Sequence, residues 1–387
     1  MKNLFTKDLI RKLKTQLLFT IFIIAFFGIL YACSIQCIWT GVEKIIAVGD
    51  LHGDYKNFVK ILQGIELIDE ELHWIGGKTH LVQTGDVMDR GPDAKKIFDL
   101  LMKLEKEAEK AGGKVHALIG NHEEMNIIGI AFNWANYVTV EQFVSFLPDK
   151  YRKKKEKEFR KSLREKSKKE AGSIPSTINT KLREYWKGLI ESDEEARKQY
   201  ITNFNKKYGK WILKRNAVIK INDIIFVHGG ISEAYSTWNL KDINNLLRKE
   251  LDILRRLQQD SKQSEEPFEP EVVYNREGPL WYRDLAQQDE DVFKPVVDRI
   301  LLNLNANYIV IAHTIIKEQS LSEEDRSRFK GRIWLIDTGI SEYYGGKLSA
   351  LIIENGNFSI WGLNNEKQSN TEHQLFYLLH LNYLGQL

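Results

Sequence analysis

Five short clusters in this sequence place an aspartate, asparagine or histidine beside glycine or directly after an apolar run. They are Gly49-Asp50-Leu51-His52-Gly53-Asp54, Gly85-Asp86-Val87-Met88-Asp89-Arg90-Gly91, Gly120-Asn121-His122-Glu123, His228-Gly229-Gly230 and Ala312-His313-Thr314. Taken singly, an Asp-x-His at a strand end can be no more than a turn closed by an Asx bond. Together they collect four of the nine histidines, two of them with acids or an amide as neighbours, and no cysteine. Such nitrogen and oxygen donors suit Mn, Fe, Zn or Co rather than soft metals. A carboxylate in the middle of the set, such as Asp86, can bridge two ions. Two cations about 3.5–4 Å apart can clamp a phosphoryl group and ionise a shared water at neutral pH. His73, His80, His116, His373 and His380 lack this company and read as structural or surface residues.

The elements that must position these clusters are short apolar strands. Lys44–Val48 (KIIAV), His80–Thr84, Val115–Ile119, Ile224–Val227, Tyr308–Ala312 and Arg332–Ile336 are aliphatic runs bounded by Gly, Asp, Asn or His. Helical spacing appears between the early ones, at Phe58, Ile61, Leu62 and Ile65, and again at Ala94, Ile97, Phe98, Leu101 and Leu104. Alternating strands and helices predict an α/β layered fold. In open α/β sheets, sites form at the carboxyl ends of strands. Every cluster above follows such a run.

Residues 131–212 interrupt that alternation. Lys150 to Glu170 carries twelve basic side chains against four acids, which predicts a long solvated helix, and Leu182–Tyr200 predicts another. The stretch reads as a helical insertion projecting from the core. Residues 255–275, rich in Gln, Ser, Glu and Pro, read as a mobile loop.

Composition excludes several classes. The chain is 43% hydrophobic, enough for a sizeable core, and 56 basic against 53 acidic side chains leave a net charge of +3. A dedicated nucleic-acid binder carries a larger basic excess, so no nucleic-acid partner is expected. Two cysteines, Cys33 and Cys37, cannot build a disulfide framework.

The N-terminus has its own grammar. Lys2, Lys7, Arg11, Lys12 and Lys14 precede a run from Thr15 to Val42 without a charge, and Leu17–Cys33 is almost wholly apolar. A basic flank before such a run predicts a signal peptide or membrane anchor over residues 1–42, with the basic end cytoplasmic. The expectation is a membrane-anchored or exported protein whose catalytic body, residues 43–363, is extracytoplasmic. Residues 364–387 form a C-terminal tail read as helical.

The ordered set GD-x-HG, GD-x-x-DRG, GNHE, HGG and a later histidine resembles the metallophosphoesterase superfamily, within it the PPP phosphoprotein phosphatases. Asn275-Arg276-Glu277-Gly278-Pro279-Leu280-Trp281-Tyr282-Arg283 and Ile336-Asp337-Thr338-Gly339 resemble the Shewanella-like subgroup. The resemblance spans about Ile45 to Leu363 and implies a calcineurin-like β-sandwich flanked by helices, with two divalent metal ions, Mn the first choice in vitro. It implies Asp50, His52 and Asp86 as ligands of one ion, with Asp86 bridging to a second completed by Asn121, His228 and His313. Arg90, Asn121 and Arg283 would bind substrate, and His122 would be the proton donor, oriented by Asp89. Glu123 would orient the ligands. The implied activity is hydrolysis of phosphoric monoesters, with a phosphorylated protein or small phosphoester as substrate. A dinucleoside-polyphosphate or nucleotide hydrolase shares some of these motifs, and an inactive membrane-tethered binding protein is the reading outside enzymes.

Overall fold

The computed structural model describes residues 35–169, 178–259, 268–316 and 326–362. Most of the expected membrane segment at 1–42 lies outside the described residues, as does the tail at 364–387. Among the described residues, no helix is long and apolar enough to cross a membrane.

The run KIIAV forms β2 (Lys44–Val48), and β3 (His80–Gln83) and β4 (Lys114–Ala117) line up beside it in parallel. Parallel neighbours require crossover connections. Helices Tyr55–Gly64 and Ala94–Lys110 supply them, burying Phe58, Ile61 and Leu62 from one and Ile97, Phe98, Leu101 and Leu104 from the other. Being covered, β2 and β3 are buried almost throughout and show no polar alternation. On the far side of β2 lies the antiparallel hairpin of β10 (Ser349–Glu354) and β11 (Asn357–Gly362). Asn355-Gly356 closes it with φ of 51° and 80°, the two positive values a tight hairpin turn asks for.

A second sheet runs in the order β1 (Ile38–Trp39), β5 (Val218–Ile221), β6 (Ile224–Val227), β7 (Tyr308–Ile311), β9 (Ile333–Leu335), β8 (Ser327–Arg328). Rings join the two sheets: Trp39 meets His116 edge-on at 4.4 Å, and Trp334 stacks on Phe358 at 4.8 Å. The buried His80–His116 pair, 3.0 Å between ring nitrogens, belongs to this interior, and burial lowers the His80 pKa to about 4. Both histidines therefore have the structural role expected of them. The uncharged run that predicts a membrane segment also contains a strand, because Ile38 and Trp39 pair with Lys220 and Ile221 of β5.

Other expectations need correction. Leu182–Tyr200 is two helices, Ile178–Ser192 and Glu194–Phe204, because Asp193 caps the second through the Ala196 amide. The expected loop at 255–275 is helical through Gln259, the end of helix Leu240–Gln259. Its other end is pinned where Glu250 accepts from the amides of Glu271, Val272 and Val273, while residues 260–267 lie outside the described residues. The insertion does not simply project. Phe143, Phe146, Tyr200 and Phe204 build an aromatic core, and Phe98 of helix Ala94–Lys110 meets Phe204 at 6.2 Å. Helix Asp149–Lys169 alone matches the expected solvated, basic element.

A candidate dinuclear metal centre

Each cluster leaves the carboxyl end of a strand. Asp50 and His52 follow β2, while Asp86, Asp89 and Arg90 follow β3. Asn121 and His122 open helix Asn121–Ile128 after β4. His228 follows β6 and His313 follows β7. His52, Asp86, Asp89, Arg90 and His313 have φ between 42° and 68°, which turns the backbone sharply off the strand. Glycine permits the closest approach: a Cβ on Gly120 would lie 2.3 Å from Asp86 Oδ1. The carboxylate of Glu123 then secures the loop after β3, accepting from the amides of Gly120, Asp86 and Val87 at 2.8–2.9 Å.

The result is a buried set of donors around Asp86. His228 Nε2 lies 2.8 Å from Asn121 Oδ1, 3.1 Å from His313 Nδ1 and 3.4 Å from Asp86 Oδ1. On its other side, Asp86 Oδ2 lies 3.8 Å from the Nε2 atoms of both His52 and His122. Among the described residues, two groups could hold an ion and share Asp86, one with His52 and His122 and the other with His228 and His313. The first brings in His122, for which the family resemblance implies proton transfer; Asp50 instead meets His228, at 3.6 Å.

The hydrogen bonds fit metal ligation. His228 Nδ1 faces the Thr84 carbonyl at 2.9 Å, and His52 Nδ1 faces that of Met88 at 3.2 Å. These acceptors hold the proton on Nδ1 and point each Nε2 lone pair at the acids. For His228 the lone pair then looks at another acceptor, the Asn121 oxygen, an arrangement a cation between them would satisfy. Asp50 Oδ1 and His313 Nε2 are buried and find no hydrogen-bond partner among the described residues.

Electrostatics agree. Burial lowers the His52 pKa to about 3, and burial with the neighbouring His228 depresses His313, so both are neutral, as ligands must be. Burial pushes the Asp50 carboxyl well up, with the charges of Asp337 and Asp86 adding to it. Asp86 shows the opposite outcome: burial alone would raise it, but His228 and His122 hold it well below the usual range.

Beside these donors sit Asp89, Arg90 and His122. His122 Nδ1 is 2.8 Å from Asp89 Oδ2. Burial opposes a charge on His122, but Asp86 and Asp89 outweigh it, and its pKa is raised. The Arg90 guanidinium lies 3.8 Å from the centre of the Tyr137 ring and 5.1 Å from that of Tyr343, and its Nε finds no hydrogen-bond partner among the described residues. Arg283 donates through Nη1 to the His313 carbonyl at 2.6 Å and to the Thr314 hydroxyl, which secures the turn carrying His313.

Sequence reasoning missed several contributors. Asp337, quoted only as part of a motif, pairs with Asp50. Tyr137 stacks on His122 at 4.9 Å, and Tyr344 lies 5.0 Å from His52. Gln142 and Asn126 bind the Asp89 carboxylate. For Tyr343 and Tyr344 a signal existed, since they follow the Asp337-Thr338-Gly339 turn; for Gln142 there was none.

Two sheets that converge at their strand ends on buried His, Asp and Asn define the metallophosphoesterase class of hydrolases. The calcineurin-like phosphoesterase family matches residues 43–317, and the chain belongs to that family. It is 29% identical over 308 residues to the Shewanella-like protein phosphatase 1 of Plasmodium berghei, covering 78% of this chain and 68% of that one. It is 31% identical over 311 residues to an uncharacterized protein of Schizosaccharomyces pombe, covering 80% and 76%. Among solved structures, the cold-active protein-tyrosine phosphatase of a psychrophile Shewanella sp. has a similar fold, with a TM-score of 0.57, 23% identity, and coverage of 85% and 82%.

Proposed function

We propose that this hydrolase removes phosphate from phosphoproteins, and that the centre around Asp86 holds two divalent ions. The observation that carries this reading is the Asp86 carboxylate, whose two oxygens face separate sets of imidazoles. Asp50, His52 and Asp86 would hold one ion, and Asp86, Asn121, His228 and His313 the other. Bound ions supply Lewis acidity toward the phosphoryl oxygens and an ionised water at neutral pH.

The chain's own residues do the rest. Arg90, flanked by Tyr137 and Tyr343 rather than by a carboxylate, offers its guanidinium donors to phosphate oxygens. His122 gives its Nδ1 proton to the bond with Asp89, which leaves the Nε2 proton to pass to the leaving oxygen. The Asp86 and Asp89 carboxylates outweigh burial and raise the His122 pKa above the ordinary imidazole value. Arg283 acts through the His313 turn.

The Shewanella-like phosphatase relative supports a phosphoprotein substrate, and the donor set suits Mn, Fe, Zn or Co. The test compares phosphopeptides with dinucleoside polyphosphates at fixed Mn. Faster turnover of phosphopeptides is expected, and preference for the polyphosphates would overturn the reading. For location, the basic flank and apolar run of residues 1–33 support a membrane-anchored or exported protein with its catalytic body outside the cytoplasm. Recovery of the full chain, unprocessed, in the soluble cytoplasmic fraction would refute that.

A further inference from the structure

The helical insertion contributes a buried hydrogen-bond circuit to the site. Gln142, on helix Val140–Phe146, grips Asp89 twice: its Oε1 accepts from the Asp89 amide at 2.7 Å, and its Nε2 donates to Asp89 Oδ1 at 2.7 Å. The same Nε2 reaches the Tyr200 hydroxyl at 3.0 Å. Tyr200, on helix Glu194–Phe204, donates in turn to Asn126 Oδ1 at 2.8 Å, and Asn126 Nδ2 donates to Asp89 Oδ2 at 2.7 Å. That oxygen also receives His122 Nδ1. Asp89, Gln142, Tyr200 and Asn126 are all at most 1% exposed, so water does not compete for these bonds.

Two further contacts fix the circuit to the insertion. Thr139 caps the Gln142 helix through the Gln142 amide, and its hydroxyl donates to the Gly91 carbonyl just after Arg90. Phe143 stacks on Tyr200 at 10°, which holds that ring against the Gln142 helix. Asp89 is thus held at its amide and at both carboxylate oxygens by four bonds, two from Gln142 of the insertion and two from the helix that carries His122 and Asn126.

We infer that Gln142, with Tyr200 behind it, is a positioning residue for the general acid: it fixes the Asp89 carboxylate so that His122 presents its Nε2 proton to the leaving oxygen. This rests on the proton-donor reading of His122. A carboxylate that loses the Gln142 amide keeps a buried oxygen and a buried N–H to satisfy, and turns away from the imidazole to do so. The consequence falls on proton delivery, while Arg90 and the metal ligands keep their places. The insertion is therefore part of the catalytic apparatus, though it supplies no group that touches substrate.

The experiment measures kcat/KM of the full chain on two esters at saturating Mn, p-nitrophenyl phosphate and a phosphoserine peptide. It uses Gln142→Ala, Tyr200→Phe and, as a reference, His122→Asn. A leaving group as acidic as p-nitrophenol barely needs a proton; serine needs one. Gln142→Ala is expected to lose roughly ten- to a hundredfold on the peptide, the equivalent of one hydrogen bond to a charged group, and only a few-fold on the aryl ester. Tyr200→Phe, which keeps the ring and its stacking, is expected to shift in the same sense by less, and it carries the test if Gln142→Ala does not fold. Equal losses on both esters, or none, in the two insertion variants while His122→Asn discriminates would overturn the inference and leave the proton-donor reading intact. Equal losses for His122→Asn itself would overturn both.

Discussion

Tyr137 lies against two groups of different task at once: its ring stacks on the His122 imidazole at 4.9 Å, and its face meets the Arg90 guanidinium at 3.8 Å. Its carbonyl also accepts the Arg90 amide at 2.8 Å. One residue of the insertion thus sets the spacing between the group that would grip phosphate and the group that would protonate the departing oxygen.

That division of tasks is measurable. His122→Asn should lower kcat strongly for alkyl phosphates, within the roughly 10²–10⁴-fold that proton transfer contributes, and much less for p-nitrophenyl phosphate. Arg90→Ala should impair both alike, because its target oxygens belong to every monoester. Initial rates for both variants on both esters, at one Mn concentration, decide the point.

Chelation should abolish turnover and Mn should restore it, because every proposed ligand is a carboxylate, amide or imidazole. Asp86→Asn should be the most damaging ligand change, costing roughly a hundredfold or more in kcat/KM, since even partners of ligands are worth 10–100-fold. Bound metal per chain, measured after gel filtration, should fall further for Asp86→Asn than for Asp50→Asn. Undiminished activity of Asp86→Asn in chelator would refute the two-ion centre.

Truncation should be tolerated up to residue 34 and not beyond 38. Trp39 meets His116, and Asn222 takes part in a two-way exchange with Val42. A chain beginning at Glu43 loses β1 with these contacts and should be weaker by about 1.5–3 kcal/mol, the range for burying one large apolar side chain. Urea midpoints of chains beginning at 35 and at 43 provide the comparison; equal midpoints would show β1 to be dispensable.

Glu124 gives the fold a pH dependence. Burial pushes its carboxyl up to about 8, the indole of Trp281 and the amide of Tyr274 opposing only part of that rise, while Asp86 and Glu250 add to it. The folded pKa exceeds the unfolded one, so the folded chain binds the extra proton. The stability this group contributes is complete below the unfolded value of 4.5 and is lost as pH climbs through about 8. Glu124→Gln should flatten the decline in unfolding free energy between about pH 5 and about pH 8.5. Parallel pH curves for the two proteins would show that Glu124 is already ionised in the fold.

The ligand clusters were legible because each is local: a strand and the first donor after it occupy at most eight consecutive residues, as in Lys44–Asp50. Strands of continuous aliphatic residues were legible for the same reason. The Asn355-Gly356 hairpin was also written plainly and was passed over. The contacts of Gln142 and Tyr200 were not legible. They join residues 53 and 74 positions from their partners Asp89 and Asn126, and no spacing in the chain announces such a meeting. The charge of helix Asp149–Lys169 also drew attention away from its uncharged neighbours, which make the closer approach to the site.

Five residues of the site stand on left-handed backbone: His52, Asp86, Asp89, Arg90 and His313. For a residue with a Cβ that conformation costs on the order of 1 kcal/mol, and glycine in the same place would cost nothing. At five positions the chain thus accepts that backbone strain in order to keep the side chain. A population of variants screened only for survival at high temperature should drift toward glycine or asparagine at Arg90, where no buried hydrogen-bond network is broken by the change, gaining thermal tolerance as it forfeits turnover. The region most demanding of the scaffold is the first that such a screen would erase.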